Sequence, residues 1–546
     1  MNSVKKSFII IFLGIALYSF SLFNGFVWDD EVMFNTQLTA SQAYFRPIMT
    51  VINGTIVTLF GARPFFFHLS SVVFHIATAV LIFYLFKRFF KENIAFFLSL
   101  IFLVHPANVE AVCFASALQE VLFTFTGILG LYLFVRGNDI SPVIVIGAII
   151  LSTMALLMKE TGIVFFALIF CYLFLFHRKN TSTIQLYGAF AIIALFTYGM
   201  ARFSSGNNYV QGQGLFPIMR VSLATRLINI PLIILYYLGT FLFPLHLGIA
   251  QHWVVRTMDF WHFWAPIIIE LGLCFWLIYL SVRLKKHCHS RGGGNLVENY
   301  NSKNEIDRLD PRLHGGDTGK QQNIFLFFFL WFLIGLLPHL QLIPLNMTVA
   351  ERWMYFPMIG ILGMVGVLAS SWLVQDQKRQ ILESPDLVGI PRMTIIIFII
   401  ILFFIRSFMR TLDWRNGLSL YGSTITRTSS FDMQNNMGVE LFRVGKYKEA
   451  KKYFEISTHL APYWWVNWNN LGAAYEREQN FSKAQECYER AIHNGQYVLA
   501  YENLAKILVL HGKDKQKAEA FLKKALEIFP DDTNLRQING YSETER

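Results

Sequence analysis

"TIIIFIIILFFI", residues 394–405, decides the class of fold. It carries no charge and no polar face, so it cannot be one side of a soluble amphipathic helix. With its neighbours it approaches the roughly 20 apolar residues that cross a hydrocarbon core. "IFLFFFLWFLIGLL", residues 324–337, repeats the pattern. Across 546 residues the hydrophobic fraction is 54%, with 53 Phe and 15% charged residues, and the apolar residues come in long blocks. These features predict an all-α chain whose larger part is a polytopic helical membrane bundle.

C-terminal to that stretch the character changes. "NNMGVELFRVGKYKEAKKYFEIS" begins at Asn435 and "NNLGAAYEREQNFSKAQECYERA" at Asn469. Gly438 and Gly472, Ala450 and Ala484, and Phe454 and Tyr488 share one period of 34 residues, and Ala518 extends it to a third unit. A period of about 34 with small residues at helix crossings is the tetratricopeptide pattern, and about three units suffice to stack a solenoid. The expected organisation is a membrane domain over 1–415, a linker over 416–430 and an α-solenoid over 431–546. Trp464, Trp465 and Trp468 are expected to pack within the solenoid.

N-terminal to it, further spans are expected near 225–245, 263–282, 323–341 and 354–373, after six between 66 and 201. Lys5 and Lys6 precede the apolar run 8–23, which lacks a clear cleavage pattern and reads as an uncleaved first helix with a cytoplasmic N-terminus. "KRFFKEN" (87–93), "VRGND" (135–139) and "HRKN" (177–180) then fall in the cytoplasm, as the positive-inside bias requires. About 11–13 spans are expected. Twelve would leave the C-terminus cytoplasmic. Placing the basic loops "RLKKHCHSR" and "QDQKR" inside instead needs one crossing fewer or more between 184 and 262, and puts the solenoid outside. The outward assignment is preferred, with 283–322 as a polar cytoplasmic loop.

The formal charge of +11 lies in the membrane part, because residues 431–546 hold equal numbers of Lys/Arg and Asp/Glu. Topology accounts for it, and no nucleic-acid partner is implied. The 5 cysteines are scattered and suggest no disulfide framework. A metal site at His287–Cys288–His289 is disfavoured, since adjacent loop residues rarely suffice.

Polar clusters recur at the outward ends of spans. "WDDE" (28–31) gives Asp29, Asp30 and Glu31; Arg46 follows. His105 with Glu110, Lys159 with Glu160, and Glu351 with Arg352 and Tyr355 occupy later ends. A solvated loop capping a helix would explain one such cluster, not the convergence of several. Carboxylates beside Lys and Arg at a bilayer surface suit a reaction whose anionic leaving group stays anchored in lipid.

"NGFVWDDEVMF", "FRPIMTVINGTIVTLFGARPFFFHLSSVVFH" (45–75), "HPANVEAV", "KETG" and "AERWMYFP", followed by the repeats, resemble the transmembrane and tetratricopeptide-repeat O-mannosyltransferases of the GT-C superfamily. The tail holds fewer repeats than the animal members. The resemblance implies inverting transfer of a sugar, mannose or another hexose, from a polyprenyl-phosphate donor to a hydroxyl, such as a protein Ser or Thr. The acceptor polypeptide would be presented by the repeats on the periplasmic or lumenal face. Asp29 or Asp30 would take the hydroxyl proton, and Arg352 and Lys159 would hold the donor phosphate. Glu31, Arg46, His105, Glu110, Glu160, Glu351 and Tyr355 would support the site or position substrate, with Arg46 pairing a first-loop carboxylate. A divalent cation on Asp29 and Asp30 stays open. The rival readings are a non-catalytic scaffold displaying the repeats and a lipid-linked sugar flippase.

Overall fold

A computed structural model describes the chain except residues 1, 36–44, 138–139, 206–214, 290–317, 383–391, 429, 513 and 545–546. The polar loop expected over 283–322 lies mostly outside the described residues, as do the side chains of His287, Cys288 and His289. The chain forms two units, Met1–Arg415 and Asn416–Arg546.

The first unit is built from helices α1 (Ser3–Tyr18), α2 (Asp30–Asn35), α3 (Pro47–Phe60), α4 (Pro64–Phe86), α5 (Glu92–Val104), α6 (Val109–Cys113), α7 (Leu118–Arg136), α8 (Pro142–Met158), α9 (Val164–Phe176) and α10 (Thr181–Ser204). It continues through α11 (Leu223–Leu242), α12 (Ala265–His289), α13 (Thr318–Leu336), α14 (Pro357–Leu382) and α15 (Arg392–Asp413). Among the described residues, 7 helices are long and apolar enough to cross a membrane, or 8 with the bent α5–α6 pair, beside several shorter apolar helices. Close approach comes from small residues. A Cβ on Gly360 of α14 would lie 2.6 Å from the Phe332 backbone nitrogen on α13, so only glycine permits that contact.

Contacts between loops define two faces. On one, Lys6 pairs with Glu92 at 3.1 Å, Arg88 donates to the Val135 carbonyl at 3.1 Å, and Asn323 donates to the Leu175 carbonyl at 3.0 Å. On the other, Gly25 N–H donates to the Arg415 carbonyl at 3.1 Å, Arg46 pairs with Glu160, and Arg410 pairs with Glu351 at 3.1 Å. The first loop and the exit of the membrane unit therefore share a face.

Helix α11 is apolar and long enough to span, and it makes hydrogen bonds with loops of this second face. Arg226 donates to the Gln341 carbonyl at 2.9 Å, Tyr237 hydroxyl to the Ala350 carbonyl at 3.3 Å, and the Phe241 carbonyl meets His105 Nε2 at 3.0 Å. The intervening chain follows suit: Gln251 bridges Val349, and Asn229 exchanges two hydrogen bonds with Val255. The buried Asn229 and Tyr237 of α11 find hydrogen-bond partners in these loops.

The second unit consists of α16 (Gly417–Ile425), α17 (Phe431–Arg443), α18 (Tyr447–Leu460), α19 (Trp465–Arg477), α20 (Phe481–Asn494), α21 (Val498–His511), α22 (Lys515–Ile528) and α23 (Thr533–Thr544). Much of the stretch read as a linker, 416–430, is helical. Asn416 caps α16 by accepting from Ser419 N–H at 3.0 Å, and Leu420 and Tyr421 are buried. In the repeats a Cβ on Gly438 or Gly472 would lie 2.6 Å from the ring of Phe454 or Tyr488, which explains the 34-residue pairing of glycine with aromatic. Trp464 packs on Phe431, Trp468 on the first-repeat core and Trp465 on Gly495, so all three tryptophans pack.

Candidate active site

Trp28 sets the first loop. Its φ of 57° is in the left-handed region, which a tryptophan enters only when its surroundings hold it there. The indole stacks on Phe114 at 5.2 Å with 18° between planes. The turn sends the two adjacent aspartates apart. Asp29 is exposed, whereas Asp30 opens α2 and is fully buried.

Asp30 accepts the Ser116 N–H at 2.7 Å, the Ser116 hydroxyl and the Val27 N–H at 3.3 Å. Burial outweighs these donors and pushes its carboxyl up to about 7. Asp30 thus clamps the first loop to the 115–117 turn, and its oxygens are committed to that task. Among the described residues no group of three or more His, Cys, Asp or Glu is placed to hold a metal ion.

Arg352 enters from the turn Glu351–Met354. Glu110, fully buried, accepts from both its guanidinium and, at 3.1 Å, its backbone N–H. The guanidinium carbon lies 5.5 Å from the Trp28 ring and 5.6 Å from that of Phe114, a cation–π arrangement on the stacked pair. Burial opposes this cation, but Glu110 and Glu120 outweigh it, and Asp29 adds to them, so the Arg352 pKa is raised. Residues from the first loop and from near position 350 therefore share one electrostatic site.

Two further pairs support it. Lys159 and Glu120 are buried against each other, with the ammonium 5.3 Å from the Phe123 ring. Burial lowers the Lys159 pKa, Glu120 opposes that, and nearby Arg46 and Arg352 add to the lowering. Arg46 grips Glu160 with two bonds of 3.0 and 2.9 Å. Arg46 thus joins the Lys159–Glu160 turn to the site. Glu351 does not face Arg352; it pairs in the interior with Arg410, which also binds Asp413 at 2.9 Å.

His105 and Tyr355 turn away from this cluster. His105 Nδ1 accepts from Ala107 N–H at 3.2 Å and Nε2 donates to the Phe241 carbonyl, pinning the 51° bend between α5 and α6 and the end of α11. Tyr355 hydroxyl meets His75 Nδ1 at 2.8 Å deep in the bundle. Glu31 is half-buried on the first turn of α2. Sequence reading missed Ser116, Glu120 and Arg410 as partners. Glu120 and Arg410 did leave a signal: each is an isolated charge at the edge of an apolar block, where an unpaired charge is costly.

Residues 46–199 match the family model for dolichyl-phosphate-mannose-protein mannosyltransferase, and 465–494 and 498–532 match tetratricopeptide-repeat models. The protein O-mannosyl-transferase F38B6.6 of Caenorhabditis elegans is 23% identical over 84% of this chain and 63% of its own length. Over most of its length the chain is similar to the protein O-mannosyl-transferases. Human protein O-mannosyl-transferase TMTC3 is 20% identical over 97% of this chain. The chain spans about three-fifths of these relatives, 63% and 61% of their lengths. Among solved structures, the Archaeoglobus fulgidus oligosaccharyltransferase with a tethered acceptor peptide is similar over 82% of this chain and 58% of its own, at 12% identity and a TM-score of 0.36. The resemblance read from the motifs holds, for a multi-pass helical membrane unit followed by repeats.

Proposed function

We propose that this protein transfers a hexose, with mannose the first candidate, from a polyprenyl-phosphate donor to a Ser or Thr hydroxyl of a polypeptide, at the face that carries Asp29 and Arg352. The observation that carries the reading is their convergence: an exposed carboxylate and a carboxylate-braced guanidinium share one site, joined through the Trp28–Phe114 stack.

In a single inverting displacement the acceptor oxygen attacks the anomeric carbon as its bond to the phosphate oxygen breaks. The phosphate leaves with the bonding electrons, and the hydroxyl proton passes to Asp29. Asp29 suits that role because it reaches solvent, while Asp30 is spent on Ser116 and Val27. Arg352 faces the charge that grows on the departing phosphate, an interaction stronger in the transition state than before it. Glu110 holds the fork in place, and the buried Lys159–Glu120 ion pair lies close enough to act on its charge. The face opposite this site carries Lys6, Lys87 and Arg88. A cytoplasmic assignment of that basic face puts the site on the periplasmic or lumenal side. A scaffold or flippase reading leaves the Asp29–Arg352 arrangement without a use.

The test is incorporation of label from polyprenyl-phosphate [3H]mannose into a Ser/Thr-rich peptide by the purified protein in proteoliposomes. Transfer by wild type, and its loss in Arg352→Ala, is the expected outcome. No transfer from this or any other polyprenyl-phosphate hexose would sink the proposal.

A further inference from the structure

Beside Arg352 and Lys159 stands a histidine, His339, that has no part in their ion pairs. Helix α13 ends at Leu336, and Pro338 opens the short turn Leu337–His339, where its missing N–H costs nothing. The chain then folds back. Gln341, buried and held at a φ of 61°, donates to the Met347 and Thr348 carbonyls at 2.7 and 3.0 Å and accepts from Leu345 N–H at 2.9 Å. That clamp fixes the return of the chain, which lays His339 on Trp353, the neighbour of Arg352. The two rings stack at 4.9 Å with 11° between planes, and the Arg352 guanidinium lies 6.0 Å from the same indole. The charges that bear on the imidazole are those of Lys159 and Arg352.

His339 is 5% exposed, and its Nδ1 is buried without a hydrogen-bond partner. A histidine that only packs ordinarily satisfies its nitrogens, because a buried polar atom left unpaired is costly. An N–H on Nδ1 would have no acceptor there, so the proton belongs on Nε2, the nitrogen left for a ligand.

We propose that His339 donates its imidazole N–H to an oxygen of the donor phosphate, as a third group beside Arg352 and Lys159. Both cations are braced by buried carboxylates, Glu110 and Glu120, so part of their charge is already answered. A phosphate arriving there needs further donors. A third Lys or Arg would add its own desolvation cost, whereas an imidazole N–H adds a directed bond without a permanent charge. The stack on Trp353 fixes the ring plane, so the donor is placed before the ligand arrives. The bond strengthens as the phosphate oxygen takes the electrons of the breaking sugar–phosphate bond, and no proton has to move. The proposal rests on the transferase reading and deepens it, by naming a residue that recognises the phosphate rather than the sugar or the isoprenoid.

The test measures equilibrium binding of tritiated polyprenyl phosphate to the full chain in nanodiscs, and its competition by unlabelled polyprenol, which lacks the phosphate. Wild type is expected to prefer the phosphate. His339→Phe keeps a ring for Trp353 but has no N–H, and its preference should fall by about tenfold or more, the usual scale for a hydrogen bond to a charged group. Its unfolding midpoint should stay near wild type. His339→Gln restores a donor and should recover most of the preference; His339→Met replaces the Phe variant if that one fails to fold. A merely structural histidine would weaken both ligands alike and leave the preference unchanged. That outcome, or equal loss in His339→Gln and His339→Phe, overturns the role of His339 and leaves the transferase reading standing. A wild type that binds polyprenyl phosphate no better than polyprenol overturns both.

Discussion

Arg410 and Arg490 both sit on helices and both pair with a glutamate, yet they live in different solvents. Arg410, in the membrane unit, is fully buried and meets an equally buried Glu351 at 3.1 Å. Arg490, in the repeats, is more than half exposed and meets Glu486 at 2.6 Å one helical turn away. The closer pair is the weaker one. Water screens Arg490 and solvates it whether or not Glu486 is present. Arg410 has no such alternative, and without Glu351 only Asp413 would be left to compensate a desolvated charge. The same holds for Arg352 with Glu110 and Lys159 with Glu120. In the membrane unit a charge is a commitment to a geometry; in the repeats it is mostly a way of staying soluble.

The largest stability effect is therefore expected from breaking one partner of the interior pair. Glu351→Leu alone should destabilise the membrane unit by about 3–5 kcal/mol, read as a lower midpoint of thermal unfolding in detergent. Glu351→Leu combined with Arg410→Met should recover most of that loss, since an apolar pair of similar volume buries no charge. A double variant as unstable as the single one would show that packing, not charge, dominates there.

Asp30 gives the next effect, and it depends on pH. Its carboxyl titrates near 7 when folded and near 3.9 when unfolded. Below about pH 4 both states hold the proton and there is no dependence. Between about 4 and 7 the unfolded chain ionises first, so folded stability falls as pH rises, by a few kcal/mol at most. Asp30→Asn abolishes that titration. Its unfolding midpoint should rise relative to wild type between pH 5 and pH 8, whereas a constant gap would contradict the burial argument.

The smallest effect belongs to the repeats. Arg490→Ala should change stability by about 0.5 kcal/mol or less, and added salt should erase what there is. A loss of 2 kcal/mol or more there would break the contrast between the two units.

Much of this was legible in the sequence, and the gaps have physical causes. Apolar blocks and the 34-residue spacing of Gly438 with Gly472 announce the two units, because lipid thickness and helix stacking each impose a length. The clustering of Asp29, Lys159 and Arg352 was readable from their positions at span ends. Pairing was not: Arg46 to Glu160 and Arg352 to Glu110 join distant segments, and only packing selects among the available carboxylates. Helix α11 is a related case: its length and hydropathy announce a span, while the partners of Arg226, Tyr237 and the Phe241 carbonyl appear only in the fold. Composition cannot divide adjacent Asp29 and Asp30 either; the left-handed turn at Trp28 does.

That division is the most direct place to test the account. Asp29→Asn and Asp30→Asn should be compared in one proteoliposome preparation, for transfer of labelled mannose to peptide and for thermal stability. Asp29→Asn is expected to lose about two to four orders of magnitude in kcat, the usual scale for a general base, while its stability and donor KM stay near wild type. Asp30→Asn should shift stability and retain measurable transfer. Full activity in Asp29→Asn, or a loss confined to Asp30→Asn, would contradict the assignment of the exposed carboxylate as the base.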